Sequence, residues 1–130
     1  MKTIETMIQA TLAPHPEIRL AILFGSLALD QGRYDSDVDL AVDTGQPLEI
    51  KKKMALMEEL AEHIGRPVDL IDLQTIGEPL LGQILKHGKR LLGEDHIYAE
   101  LIKRHVFDEA DFMPYHRRIL KERRNAWITN

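Results

Sequence analysis

Two short motifs near the start of the chain carry the residues best suited to chemistry. Gly25-Ser26 is followed, after ten residues, by Asp37-Val38-Asp39. Side chains alternate between the two faces of a β-strand, so we expect Asp37 and Asp39 to share one face with their carboxylates close together. Neighbouring carboxylates repel each other, and a divalent cation removes that repulsion. Because hard oxygen ligands favour Mg²⁺ or Mn²⁺, the pair predicts a metal site.

The Gly-Ser dipeptide predicts an anion site beside these carboxylates. Gly25 has no Cβ, so the backbone there can approach a ligand closely. Ser26 offers a hydroxyl and an amide at the start of a predicted short helix, where anions are favoured. Alone, such a dipeptide is most often only a turn. Next to paired carboxylates it indicates metal-dependent phosphate chemistry.

A later strand, predicted over Pro67–Leu73, offers two candidates for a third carboxylate. Asp69 and Asp72 are three residues apart, so a regular strand sends them to opposite faces and only one can join the pair. Asp69 lies deeper in the apolar run, where a carboxylate without a partner is costly, and is therefore preferred. Asp72, nearer the strand end, is expected to be solvated and is the substitute.

Alternating helices and strands must position these residues. The apolar periodicities predict helices over Ile4–Leu12, Leu48–Ile64 and Pro79–His87, and strands over Ile18–Phe24, Val38–Val42, Pro67–Leu73 and Lys89–Leu92. In the second helix, Met54 and Met57 are expected in the core. The pattern predicts an α/β fold, in which helices flank a small mixed sheet of three to four strands.

The C-terminal part of the chain is predicted to be helical. Asp95 is expected to cap a helix running to about Phe107, and a second helical segment follows Pro114. We predict a core over 1–95 that carries the phosphate chemistry and an extension of the same domain over 96–130, packing on the core or on a partner. The basic run Lys51–Lys53 is interpreted as a solvated helix face, whereas 115–124 is either a docking helix or a charged surface helix.

Composition narrows the class of protein. The 130 residues, 44% hydrophobic and 29% charged, suit one globular domain. With 17 Lys and Arg against 21 Asp and Glu, the net charge of −4 argues against direct nucleic-acid binding. The absence of Cys excludes thiolate zinc sites and cysteine nucleophiles. No apolar run reaches the roughly 18 residues of a membrane span, so a cytoplasmic protein is expected.

The motif set resembles the minimal nucleotidyltransferases of the polymerase-β superfamily. Gly25-Ser26, the spacing to Asp37-Val38-Asp39 and a later acidic strand residue match over about Ile18–Leu73, and the tail is similar to that of MntA-type antitoxins. The resemblance implies the nucleotidyltransferase fold. It implies that Asp37 and Asp39 hold two metal ions, Mg²⁺ or Mn²⁺, and that Asp69 completes the site.

For the nucleotide, the resemblance implies that Gly25 and Ser26 hold the outer phosphates of ATP. Many family members carry Arg-Gly four and five residues after the motif glycine, where this chain has Leu29-Asp30. Gly32 and Arg33 are expected to do part of the work of that pair after a small shift in the turn, and Ser36 is a further candidate for nucleotide binding.

For activity, the resemblance implies an antitoxin that transfers AMP from ATP to a tyrosine hydroxyl of a HEPN-domain ribonuclease toxin of the HepT type. The transfer would neutralise the toxin, and the two proteins would form a hetero-oligomer. Two alternatives remain open at this point. One is an antitoxin that only binds its toxin, and the other is a nucleotidyltransferase that acts on a small molecule.

Overall fold

The computed structural model describes residues 3–25 and 37–108, which form four strands and four helices. In chain order these are α1 (Ile4–Leu12), β1 (Leu20–Phe24), β2 (Val38–Asp43), α2 (Ile50–Ile64), β3 (Val68–Asp72), α3 (Leu80–His87) and β4 (Lys89–Leu92), followed by α4 from 95 to the last described residue, 108. The segment predicted to be helical after Pro114 lies outside the described residues. Within them, no helix has the length and apolarity to span a membrane.

The strands form one mixed sheet in the order β3-β2-β1-β4. β1 is antiparallel to both β2 and β4, whereas β2 and β3 run parallel. A parallel pair requires a crossover connection, and α2 supplies it. The predicted α/β fold with a small mixed sheet flanked by helices is confirmed.

Helices cover both faces of the sheet. On one face, α1 and α2 pack over even-numbered β2 residues such as Leu40, and their contacts include the buried Ile8 and Leu60. On the other face, Ala41 of β2 and Ile22 of β1 belong to a second buried cluster. That cluster also contains residues of α3 and α4, namely Leu81, Ile84 and Leu101. The odd-numbered residues of β2 therefore share their face with α3 and α4.

The residues of α2 that face the core differ from those predicted. Met54 is 60% exposed and Ile50 74% exposed, whereas the buried residues of the helix are Leu56 and Leu60. At 100° per residue, Met54 lies about 200° around the helix axis from Leu56, so it points away from the sheet. The assignment of Met54 to the core was wrong, while Met57 packs against the core as expected.

The start of α4 also differs from the prediction. The backbone N–H groups of Ile97 and Tyr98 both donate to the carbonyl of Glu94, which makes Glu94 the N-cap residue. Asp95 is already helical, and its carboxylate accepts a hydrogen bond of 2.8 Å from Arg90 instead. The prediction that Asp95 caps the helix was wrong because a nearby guanidinium takes its side chain.

Candidate active site

Three aspartates meet at the end of the sheet where β2 and β3 begin. In the parallel pair, Asp39 of β2 lies directly opposite Asp69 of β3. Residues paired in this way point to the same face of a sheet. Asp37 precedes β2 and lies two residues before Asp39, which is the spacing that returns a strand to the same face. The structure therefore brings together the three carboxylates to which the sequence analysis gave a metal-binding role.

The electrostatics of Asp39 reflect this crowding. Burial raises the pKa of the Asp39 carboxyl, and the charges of Asp69 and then Asp37 raise it further. Asp39 is half-buried, whereas the other two are exposed. Three repelling oxygen-donor groups are the ligand chemistry that Mg²⁺ prefers, and a bound cation would relieve the repulsion.

The carboxylates are not already arranged as a closed metal cage. Within residues 3–25 and 37–108, no three Asp, Glu or His side chains form a group able to hold a metal ion as they stand. Coordination by Asp37, Asp39 and Asp69 therefore requires their side chains to rotate toward the ion.

Gly25 ends β1 beside this cluster. Its neighbour Phe24 pairs with Asp39 across the antiparallel ladder, and Gly25 itself has a φ of +76°, which side chains rarely adopt. A Cβ at Gly25 would overlap Oδ2 of Asp39 and lie 3.1 Å from its Cγ. The glycine thus makes room for a carboxylate of the cluster, a contact that the sequence pattern did not reveal.

The other candidates for nucleotide binding, Ser26, Arg33 and Ser36, lie outside the described residues.

Asp72 has a structural environment opposite to the one expected. It is only 8% exposed, and its carboxylate accepts hydrogen bonds from the backbone N–H of Leu48 at 2.8 Å and of Gln74 at 2.9 Å. Asp69, by contrast, is exposed. The argument that Asp69 is deep and Asp72 solvated was wrong, because β3 begins at the open end of the sheet and ends beneath the segment that precedes α2. The two residues do point to opposite faces, and Asp69 is the one beside Asp39.

Asp43 is a further carboxylate on the face of β2 that carries Asp39, and the sequence pattern did not identify it. Asp43, 4% exposed, accepts hydrogen bonds from Gln74 Nε2 and the Gly45 N–H at 2.8 Å and from Arg19 Nε at 3.2 Å. Burial alone would raise the pKa of Asp43, but the hydrogen bonds from Gln74, Gly45 and Arg19 and the Arg19 charge outweigh it and lower the pKa. Asp43 therefore stabilises the fold at the end of β2 remote from Asp37.

Comparisons with known proteins agree with this geometry. The sequence model of the polymerase beta nucleotidyltransferase family matches residues 6–97. The protein adenylyltransferase MntA of Shewanella oneidensis is 32% identical over 87 residues, which cover 65% of this chain and 63% of that protein. The chain thus matches slightly less than two thirds of this relative's length.

Solved structures are similar over most of the chain. A toxin–antitoxin structure with AMP-PNP superposes with a TM-score of 0.80 at 25% identity, covering 91% of this chain and 96% of the other. A mutant MntA–HepT toxin–antitoxin structure gives a TM-score of 0.77 at 26% identity, covering 93% and 98% of the two chains.

Proposed function

The chain belongs to the polymerase beta nucleotidyltransferase family, and from this premise we propose that it is an antitoxin that transfers AMP from ATP to a tyrosine hydroxyl of a HEPN-domain toxin of the HepT type. The observation that carries the proposal is the pairing of Asp39 with Asp69 at an open sheet end, with Asp37 close enough to raise the Asp39 pKa. Similarity to an adenylyltransferase and to toxin–antitoxin structures supports a protein acceptor.

In this proposal the role of each residue follows from its position in the site. Asp37 and Asp39 hold two Mg²⁺ or Mn²⁺ ions, which when bound supply Lewis-acid activation and neutralise phosphate charge. Asp69, on the neighbouring strand, completes the site and accepts the proton of the attacking hydroxyl. Gly25 and Ser26 hold the outer phosphates, with Arg33 and Ser36 as further nucleotide contacts. The tyrosine oxygen bonds to the α-phosphorus, and pyrophosphate leaves with the electron pair of the broken bond.

The raised pKa of Asp39 has a consequence for this activity. A carboxylate must be ionised to bind a cation, and crowding by Asp69 and Asp37 disfavours the ionised form. The transfer rate should therefore increase with pH through the Asp39 pKa and then level off. Rising Mg²⁺ should move this transition to lower pH, since the cation favours the ionised form.

Intact-mass analysis of the acceptor tests the proposal. The full chain is incubated with ATP, Mg²⁺ and the product of the adjacent gene, and the mass of that product is followed. We expect AMP on a partner tyrosine with the wild-type chain and with Glu62→Gln, an exposed control on α2. We expect no transfer with Asp39→Asn. Toxin neutralisation by Asp39→Asn at the wild-type level, without transfer, would contradict the proposal and favour an antitoxin that acts by binding alone.

A further inference from the structure

The turn between α3 and β4 is strongly basic in an acidic protein. Lys86-His87-Gly88-Lys89-Arg90, here called the basic turn, has three Lys or Arg and one His among five residues, whereas the whole chain has a net charge of −4 with His counted as neutral. In the sheet, Lys89 pairs with Leu23 and Arg90 with Ile22. A Cβ at Gly88 would lie 3.2 Å from the Leu23 carbonyl oxygen, so the turn packs directly on β1.

This packing places the basic turn at the catalytic end of the sheet. Gly25, two residues beyond Leu23 on the chain, lies against the Asp39 carboxylate. β1 separates β4 from β2 in the strand order. A protein whose hydroxyl reaches Asp39 therefore has the basic turn within its footprint, since protein interfaces cover about 800 Å² per partner.

The cations of the basic turn differ in how they are held. Arg90 donates to Asp95 at 2.8 Å, and its guanidinium lies 4.6 Å from the centre of the Tyr98 ring. Lys86 and His87, in the last turn of α3, are exposed to solvent. Lys89 lies 4.0 Å from the Glu5 carboxylate of α1. The outward charge of the turn thus comes in large part from the end of α3, and mainly from Lys86.

Lys86 and His87 also line a groove of about 310 Å³, which Gly82 of the same helix and His105 of α4 help to form. Glu78 also lines the groove, and its carboxylate is hydrogen-bonded to Nδ1 of His105. Ile102 and Val106 flank His105 on α4 and are 42% and 54% exposed. At 100° per residue, Ile102 and Val106 lie about 60° and 100° from His105 around the helix axis, so these exposed apolar side chains lie beside the groove.

We propose that the basic turn and this groove bind an acidic, partly apolar segment of the protein that supplies the acceptor hydroxyl. The inference rests on the proposed function and adds the surface that recognises the acceptor. Charge argues against the chain's own C-terminal segment as occupant, since 109–130 has five Lys or Arg and three Asp or Glu. The acidic cluster beside the turn and the net charge of −4 argue against a nucleic acid.

Charge reversal of one lysine tests the docking surface. Lys86→Gln and Lys86→Glu are compared with Lys51→Gln and Lys51→Glu, which alter an exposed helical lysine on the other face of the sheet. The HEPN-domain partner is the probe. Its dissociation constant is measured without ATP, and kcat and both KM values are measured during AMP transfer.

Electrostatic complementarity acts mainly on association, so we expect Lys86→Glu to raise the partner's Kd and KM about tenfold, with less change for Lys86→Gln. The kcat and the KM for ATP should not change, and high salt should shrink the difference between the variants. The Lys51 variants should have the partner Kd, the kcat and the KM values of the wild type.

An unchanged partner Kd in Lys86→Glu would overturn the inference. In that case a raised KM for ATP would assign Lys86 to nucleotide binding, and weakened binding of single-stranded RNA would assign the basic turn to a nucleic acid. Failure of the proposed chemistry is distinguishable from these outcomes. If the wild type binds the partner but transfers no AMP, weaker binding by Lys86→Glu still supports the docking surface while the transfer activity is refuted.

Discussion

Removing the charge of Asp39 should stabilise the metal-free protein. Burial and the charges of Asp69 and Asp37 raise the Asp39 pKa above its ordinary value of 3.8, so the folded state binds a proton more tightly than the unfolded state does. The free energy of unfolding must then fall as the pH rises from about 4 through the Asp39 pKa of the folded protein. The Asp39→Asn variant has no ionisable group at this position, so its free energy of unfolding does not fall in this way.

The size of the effect follows from the sheet geometry. Neighbouring strands lie about 4.8 Å apart. Two charges at that distance repel by about 1 kcal/mol in a water-like medium and by about 3 kcal/mol at an effective dielectric constant of 20. Asp37 and Asp69 are exposed, so solvent screening places the value near the lower limit. We expect Asp39→Asn to raise the free energy of unfolding by about 1 kcal/mol at neutral pH, or the Tm by about 4 °C.

Asp43→Asn is the matched control, with the same substitution on the same face of the same strand. The Asp43 pKa is lowered, so its charge stabilises the fold above about pH 4, and this contribution is lost as the pH falls through the folded-state pKa. Losing charge-assisted hydrogen bonds from Gln74, Gly45 and Arg19 should cost about 1–3 kcal/mol.

Urea unfolding of both variants between pH 4 and pH 8, with a chelator present, measures these effects. The increase in the free energy of unfolding caused by Asp39→Asn should disappear as the pH falls to about 4. Added Mg²⁺ should stabilise the wild type more than the variant. Destabilisation by Asp39→Asn at neutral pH, equal to that of Asp43→Asn, would show that Asp39, like Asp43, is stabilised by its contacts and is not destabilised by the neighbouring carboxylates.

Three further predictions follow from individual contacts. Gly25→Ala places a Cβ onto the Asp39 carboxylate at a positive φ, so AMP transfer should drop at least tenfold in a protein that still gives a folded circular-dichroism spectrum. Asp69→Asn should abolish transfer and slightly raise the Tm of the metal-free protein, because it removes the same repulsion with Asp39. Asp72→Asn should lose about 1–3 kcal/mol on urea unfolding because Asp72 accepts two backbone N–H groups. Gly82→Ala should change the free energy of unfolding by less than about 1 kcal/mol, since its Cβ would meet Cε1 at the far end of the His105 side chain at 2.8 Å, which can shift, and alanine favours the helix. Unchanged transfer in the first case, or a large loss of stability in Asp69→Asn or Gly82→Ala, would each contradict the corresponding prediction.

The elements of the fold were largely predictable from the sequence because their signals are local. The apolar run before Gly25 and the alternation around Asp39 each fall within a strand of the sheet. Gly65 ends α2 in a left-handed conformation with its N–H donating to the Ala61 carbonyl, as a helix-terminating glycine should. Such features depend on a few consecutive residues.

Errors arose where contacts between distant segments decide the outcome. Asp72 is buried because the N–H of Leu48, 24 residues away, needs an acceptor. Met54 is exposed because the sheet meets α2 on the side of Leu56, a choice that helical periodicity alone leaves open. Likewise, no local pattern shows that Gly25 contacts Asp39, since the antiparallel register of β1 and β2 creates that contact.

Titration calorimetry of Mg²⁺ into the chain with a non-hydrolysable ATP analogue present tests whether Asp37, Asp39 and Asp69 rotate inward to share divalent ions with a nucleotide. The binding of Mg²⁺ by the analogue alone is measured separately and subtracted. We expect the wild type to bind additional magnesium, Asp39→Asn to bind none, and Glu62→Gln to bind as the wild type does. No binding by the wild type, or equal binding by Asp39→Asn, would contradict this role of the three aspartates.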